Sequence, residues 1–370
     1  MYCLALLIFI IPYLLIILYL SSAWLSKSLE NIKPELNETE FVSIIVAFRN
    51  EENHIKKLIH AINSQTLKNY ELILIDDHSD DDSVNIAQKL SANNNKIKLL
   101  ELDSEKKGKK QAIFFGVQEA KGKYLLFTDA DCLPTENWAE NMLNYANTTN
   151  SDFLSAPVLF VNKSGFWNKL MQLEFISLIN LGSTSIIKNR AITCNAANML
   201  VKKETYLHHY QSINQNISSG DDIFLLHSIK QKPGKISFNN SLDALVKTYP
   251  PANFKSFVSQ RVRWASKSGK YKDFDSIFVG FLTLFANLSV LISFFTAIFI
   301  PKFWLCFAIV FLLKTLADFI FVYYPLKKYK LQNLYAFILP LSLIYPFYYL
   351  GIGLLSMFFK PKWKDRQISN

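Results

Sequence analysis

Four groups of residues could do chemistry together. Asp76-Asp77 stands in IDDHSDD and Asp129-Ala130-Asp131 in FTDAD. Gly220-Asp221-Asp222 opens an apolar run, IFLLHSI, and Gln260-Arg261-Val262-Arg263-Trp264 lies in a basic segment. Each alone has an ordinary explanation, because Asp at a strand end or helix start is common capping. Together they suit a nucleotide diphosphate with a divalent metal. Mg²⁺ or Mn²⁺ takes hard oxygen ligands, one or two of them carboxylates and the rest phosphate oxygens. Asp-x-Asp at a strand end projects both carboxylates into one crevice if the middle residue turns the chain. A further carboxylate from another segment can act as general base. Gln-x-x-Arg-Trp supplies charge for a leaving phosphate and a flat face for a sugar ring or base. No P-loop, GxGxxG, paired CxxC or HExxH pattern competes with this chemistry.

These residues need a scaffold, and residues 41–250 alternate strand-like and helix-like runs. FVSIIVA (41–47), YELILID (70–76), IKLLEL (97–102) and KYLLFTD (123–129) read as strands. EENHIKKLIHAINSQ (51–65), the run after SDDDS (79–83) and KKQAIFFGVQEA (109–120) read as helices between them. The order predicts an α/β domain with a mostly parallel sheet covered by helices. Ligands of such sheets bind at the carboxyl ends of the strands, which is where the acidic groups fall.

Apolar runs flank this region. Residues 2–26 carry no charge and are long enough to cross about 30 Å of hydrocarbon. No basic residue precedes the run, so it reads as an anchor rather than a cleaved signal. Three more candidates follow: 276–301, 303–326 with Lys314 and Asp318 four residues apart on one helical face, and 331–359, broken by Pro340, Pro346, Gly351 and Gly353. Lys27 and Lys33, then Lys267, Lys270 and Lys272, put the intervening domain on the cytoplasmic side, and Lys327, Lys328 and Lys330 agree. A fourth full crossing would set Lys360, Lys362, Lys364 and Arg366 against that rule, unless the last segment is re-entrant or one earlier segment is interfacial. The expected divisions are an anchor over 1–26, a cytoplasmic domain over 27–254, a basic juxtamembrane segment over 255–273 and a membrane region with a basic tail over 274–370.

The net charge of +10 is unevenly spread. Residues 27–254 hold 25 basic and 26 acidic residues, 255–273 six and one, and 274–370 nine and three. The surplus therefore adjoins apolar spans, as expected where a chain meets anionic lipid, and a nucleic-acid partner is not expected. The four cysteines have no partner at metal-ligand spacing and read as free thiols.

The ordered set IIVAFRNEE, IDDHSDD, FTDAD, GDD and QRVRW resembles the membrane-integrated family 2 glycosyltransferases, of the D, DxD, GDD and QxxRW type. That group includes cellulose, chitin and poly-N-acetylglucosamine synthases and ceramide glucosyltransferase. The likeness covers roughly residues 41–270 and the arrangement of one N-terminal and about three C-terminal membrane segments. It implies a GT-A fold and inverting transfer of a sugar from a nucleotide-sugar, usually a UDP-sugar. By position it implies that Ala47, Arg49 and Glu51 line the nucleotide, Ala47 through its backbone, while Asp77 meets the base and Lys109 approaches the nucleotide. Asp129 would contact ribose or diphosphate, and Asp131 would coordinate Mg²⁺ or Mn²⁺. Asp222 would be the base, with Asp221 where a longer Glu is usual. Gln260, Arg263 and Trp264 would close over the pyrophosphate and acceptor. CNAANMLV resembles the family's Gly-Ala-Asn-Met segment, with Ala196 where Gly is common, and sets Asn198 near the acceptor.

The expected enzyme sits in the plasma (inner) membrane and uses a growing polysaccharide or a membrane lipid as acceptor. The alternative is a membrane-tethered, non-catalytic nucleotide-binding scaffold with a degenerate transferase domain.

Overall fold

The computed structural model describes residues 2–26, 40–211, 220–232, 234–358, 362–363 and 366–367 of the chain. The expectations for Lys27, Lys33, Lys360 and Lys364 lie outside the described residues, as do those for the side chains of Lys362 and Arg366. Regular structure begins with α1 (Tyr2–Ser21), β1 (Val42–Phe48), α2 (Ile55–Asn63), β2 (Tyr70–Asp76), α3 (Ser83–Ser91), β3 (Ile97–Glu101), α4 (Lys109–Glu119) and β4 (Tyr124–Phe127). It continues with β5 (Cys132–Pro134), α5 (Trp138–Thr149), β6 (Phe153–Ser155), β7 (Val158–Phe160), α6 (Phe166–Ile187), β8 (Met199–Lys202), α7 (Lys203–Tyr210) and α8 (Asp221–Gln231). Last come β9 (Ile236–Phe238), β10 (Val246–Thr248), α9 (Phe254–Ser268), α10 (Phe274–Phe299), α11 (Trp304–Lys328) and α12 (Ile338–Phe358).

Contacts divide the chain into two units. One comprises Met1–Ser28, Asn162–Ile192 and Pro250–Pro361; the other comprises Leu29–Val161, Thr193–Tyr249 and Lys362–Asn370. The expected domain of 27–254 thus has residues 162–192 grouped with the apolar helices instead of the sheet.

The sheet unit is built on seven strands in the order β3-β2-β1-β4-β8-β6-β9. Every residue of β1 and β2 is buried, which explains why VSIIVAF and YELILID run apolar without alternation. α4 packs against them at Gly116, where a Cβ would come 2.6 Å from Ile75 Cδ1, so a larger residue there would have to displace the Ile75 side chain. β1 runs parallel to β2 and β4, so the loops after all three emerge along one edge. β8 is antiparallel to β4 with Met199 opposite Phe127, which brings residues 194–198 to the same edge from the other chain direction. A second sheet, β5-β10-β7, pairs Thr248 with Cys132 just beyond Asp131. α2 starts at Ile55, four residues later than the sequence predicts. Asn50 takes a positive φ of 52° and turns residues 49–54 into a loop at the strand edge.

Among the described residues, the helical unit holds five helices long and apolar enough to cross a membrane. Four are α1, α10, α11 and α12, the expected one N-terminal and three C-terminal elements. The fifth, α6, went unread because it is the least apolar of the set and carries Glu174 and Asn180 inside. Its interior position explains this: 72% of its apolar window is buried in the protein, against 22–39% for the others. Asn180 accepts from Trp24 Nε1 at 2.9 Å and donates to the Phe321 carbonyl at 2.8 Å. Lys314 and Asp318 pair at 2.5 Å as their spacing predicts, and the Tyr13 hydroxyl donates to the same carboxylate at 2.7 Å. α12 continues through Pro346, Gly351 and Gly353 without a break. Apolar helices tolerate such residues, because an environment without water leaves the backbone no better partner than its own helix.

Candidate active site

The loop after β1 is tied to the loop after β2. Arg49, 9% exposed, donates through Nη1 to the carbonyls of Asp77 (2.9 Å) and His78, and through Nη2 to Asp80 (2.8 Å). Ala47 sits beside Ile75 near the end of β1, buried and held in the parallel ladder. The Glu51 N–H donates to Ser83 Oγ at 2.7 Å, while its carboxylate meets His54 Nδ1 at 2.9 Å. His54 in turn packs on the Tyr249 ring, with centroids 4.9 Å apart. The sequence hides His54 and Tyr249, which are far apart in the chain and belong to no motif.

Asp76 and Asp77 play different parts. Asp76 accepts from the Ser79 N–H (3.1 Å) and Ser79 Oγ (2.5 Å), an ordinary turn-closing role. Asp77 is fully enclosed, and both of its oxygens accept from the Gly108 N–H at 3.0 and 3.1 Å. It therefore fixes the start of α4, and with it Lys109, beside the loop after β2.

Lys109 is the hub of the acidic groups. Its ammonium pairs with Asp129. Burial works against its charge, but the carboxylates of Asp129, Asp221 and Asp222 outweigh burial and hold its pKa above the usual lysine range. Asp129 and Asp131 flank Ala130 in the turn between β4 and β5. Asp131 accepts from Thr248 Oγ1 at 3.3 Å. Burial, then Asp129 and Glu51, push the Asp131 carboxyl up to about 6, against the opposing pull of Lys109 and His54.

Asp221 and Asp222 open α8, the two acidic residues of its first turn. Gly220 supplies the left-handed conformation (φ +91°) that aims the helix start at this edge. Asp222 Oδ2 accepts from the Ala196 N–H at 3.1 Å, which locks it to the segment before β8. Cys194 lies in the same segment; burial first, then Asp222 and Asp221, raise its thiol pKa well above the ordinary value. Cys132 is raised likewise by burial and by Asp131. Both thiols are free.

Asn198, expected near the acceptor, is completely buried, donating to the carbonyls of Pro157 and Ala244 at 2.8 Å each and accepting from Trp138 Nε1 at 2.9 Å. Three of its hydrogen-bonding positions are used inside the fold, by Trp138 of α5 and by the carbonyls of Pro157 and Ala244. Gln260, Arg263 and Trp264 lie on α9, in the helical unit. α9 begins with a capping box in which Asn253 accepts from the Ser256 N–H at 2.9 Å.

The donor set suits a divalent cation of the hard-oxygen class. Among the described residues, no three His, Cys, Asp or Glu side chains are grouped to hold a metal by themselves. Mg²⁺ and Mn²⁺ sites that hold phosphate need only one or two carboxylates. Asp131 fits that need, since a carboxyl raised by burial and like charges gains most from an added cation.

Comparison with known proteins agrees with the fold. Residues 43–207 match the model of Glycosyl transferase family 2. The chain is 27% identical to Glycosyltransferase AglE of Haloferax volcanii over 49% of its own length and 59% of that protein's. It is 28% identical to the Cholesterol galactosyltransferase of Borreliella burgdorferi, over 54% and 58%. The chain thus spans under two thirds of the length of these relatives. Mannosyltransferase PcManGT from Pyrobaculum calidifontis, solved with GDP-Man and Mn2+, matches 96% of this chain and 98% of its own, with a TM-score of 0.62. At 15% identity that likeness is one of fold. Residues 43–207 therefore resemble the family 2 glycosyltransferases, in a chain with a GT-A fold and long apolar helices on both sides of its sheet unit in the sequence.

Proposed function

We propose that the chain is an inverting hexosyltransferase that moves a sugar from a nucleotide-sugar, a UDP-sugar, to a hydroxyl presented at the membrane on a lipid or a growing polysaccharide. One observation carries this: Lys109, a partly buried lysine, pairs with Asp129 and also lies in the field of Asp221-Asp222 from a distant segment. Such a cluster has a place for a diphosphate and a separate carboxylate for proton removal.

Asp222 is assigned as the base that takes the acceptor hydroxyl proton, with the Ala196 N–H holding its orientation. Asp221 shares the helix start and the acceptor side. Asp129 and Lys109 are assigned to the ribose and diphosphate, and Asp131 to a divalent metal. A cation bound there supplies charge neutralisation for the diphosphate as it departs. Ala47, Arg49, Glu51 and Asp77 are assigned to the nucleoside end, and Gln260, Arg263 and Trp264, by motif alone, to the diphosphate and acceptor. Asn198 supports the segment that carries Ala196. The same proposal puts the sheet unit on the cytoplasmic side of the plasma (inner) membrane, following the lysines at 267–272 and 327–330.

The test is nucleotide release from a panel of UDP- and GDP-sugars in native membranes, with and without Mn²⁺ or Mg²⁺. Metal-dependent UDP release from one donor is expected, and product size then separates a polymer from a single lipid-soluble product. No release from any donor would favour the non-catalytic scaffold.

A further inference from the structure

The motif spelling Gln-x-x-Arg-Trp treats residues 261 and 262 as spacers, but Arg261 is among the most enclosed charged side chains of the helical unit, at 3% exposure. Its guanidinium lies 4.7 Å from the Phe257 ring centroid and 4.3 Å from that of Trp264. Nε donates to Glu174 Oε1 at 2.9 Å and Nη2 to Oε2 at 2.5 Å, a two-pronged pair with α6. Nη1 donates to Gln260 Oε1 at 2.5 Å. Glu174, 4% exposed, also accepts from the Tyr348 hydroxyl of α12 at 3.2 Å, and its neighbour Phe175 faces Trp264 at 6.3 Å. Two motif side chains, Gln260 and Trp264, therefore touch one guanidinium whose plane Glu174 sets. A buried ion pair is weak evidence for stability, because desolvation offsets the attraction. A rigid planar fork does fix geometry, and a lysine cannot reproduce it.

We propose that Glu174 and Arg261 are positioning residues for transfer: the pair holds Gln260 and Trp264 in the side-chain arrangement that the motif's chemistry requires. The inference rests on the assignment of Gln260 and Trp264 to the diphosphate and acceptor. Neither Glu174 nor Arg261 needs to touch a substrate.

The experiment uses the full chain in native membranes, with UDP release from an equimolar mixture of UDP-glucose, UDP-galactose and UDP-N-acetylglucosamine as the readout. Replacing both partners at once (Glu174→Leu with Arg261→Met) removes the buried charges together, a change that commonly spares folding. The double variant is expected to keep its melting temperature and donor KM while kcat falls on the order of 10²-fold, as misplacement of reacting groups predicts. Arg261→Lys keeps the charge and loses the fork and the stacking, and is expected to lower kcat at least about tenfold with KM unchanged. It decides the matter if the double variant does not fold. A purely structural pair would change stability and leave kcat alone, so near wild-type kcat in a folded variant overturns the proposal. A wild type that releases no UDP overturns the donor assignment and this proposal with it; an active wild type with unaffected variants overturns the pair alone.

Discussion

The two units use charged side chains in opposite ways. The interior of the helical unit holds charges in matched sets: Arg261 with Glu174, and Lys314 with Asp318 under the Tyr13 hydroxyl. Each set joins helices that are distant in sequence. At the strand edge of the sheet unit, five acidic side chains (Glu51, Asp129, Asp131, Asp221 and Asp222) share the fields of Lys109 and His54. That excess of negative charge is stored as a raised Asp131 pKa and a strongly held Lys109 proton. Matched charges tie structure together, whereas an unbalanced set in one crevice is poised for a ligand that brings the missing charge.

The contrast can be broken at several points. Among the binding groups, removing the carboxylate assigned to the metal should have the largest effect. Asp131→Asn is expected to cost about 3 kcal/mol or more of transition-state stabilisation, on the order of 10²–10³ in rate. In the wild type, a chelator should stop transfer and added Mn²⁺ restore it, whereas Mn²⁺ should not rescue the variant. Full activity under chelation would remove the metal from the account. Lys109→Met should come next, weakening UDP binding by about 2 kcal/mol, with partial recovery in Lys109→Arg. Titration calorimetry reads this, and affinity within twofold of wild type would mean that Lys109 serves only the fold.

The Lys314–Asp318 pair should respond through stability instead. Lys314→Met is expected to lower unfolding stability by about 1–3 kcal/mol, because it leaves Asp318 without its cation. Pairing it with Asp318→Leu should recover most of the loss, and UDP affinity should stay at the wild-type level throughout. A fall in UDP affinity would show that the helical unit's charges are not confined to holding helices. Asn198→Ala should be the mildest, at about 1–2 kcal/mol of stability from an unsatisfied Trp138 indole N–H and two freed carbonyls. An unchanged melting temperature with a large rise in acceptor KM would return Asn198 to the acceptor.

Much of this arrangement was legible in the sequence, for identifiable reasons. β1 and β2 are buried on both faces, so their apolar runs could be nothing but interior strands, and β2 spans the predicted 70–76. The acidic groups were legible because parallel strands expose their carboxyl ends together. α6 was hidden because a helix packed inside other helices can carry Glu174 and Asn180 where a lipid-facing one would not. The Glu51–His54–Tyr249 contact and the fork from Arg261 to Glu174 join residues with no fixed spacing, so no periodicity announces them. Asn198 lies beside the candidate site in sequence, and the partners that take its amide inward, Trp138, Pro157 and Ala244, have no fixed spacing from it either.

The central claim is that the unbalanced carboxylates perform glycosyl transfer, with Asp222 as the base. Asp222→Asn retains the shape and the capacity to accept from the Ala196 N–H and removes the basicity. Sugar transfer and UDP affinity should be measured on the same membrane preparation. The account predicts a loss of transfer on the order of 10²–10⁴-fold with UDP affinity unchanged. Transfer near the wild-type rate would contradict it.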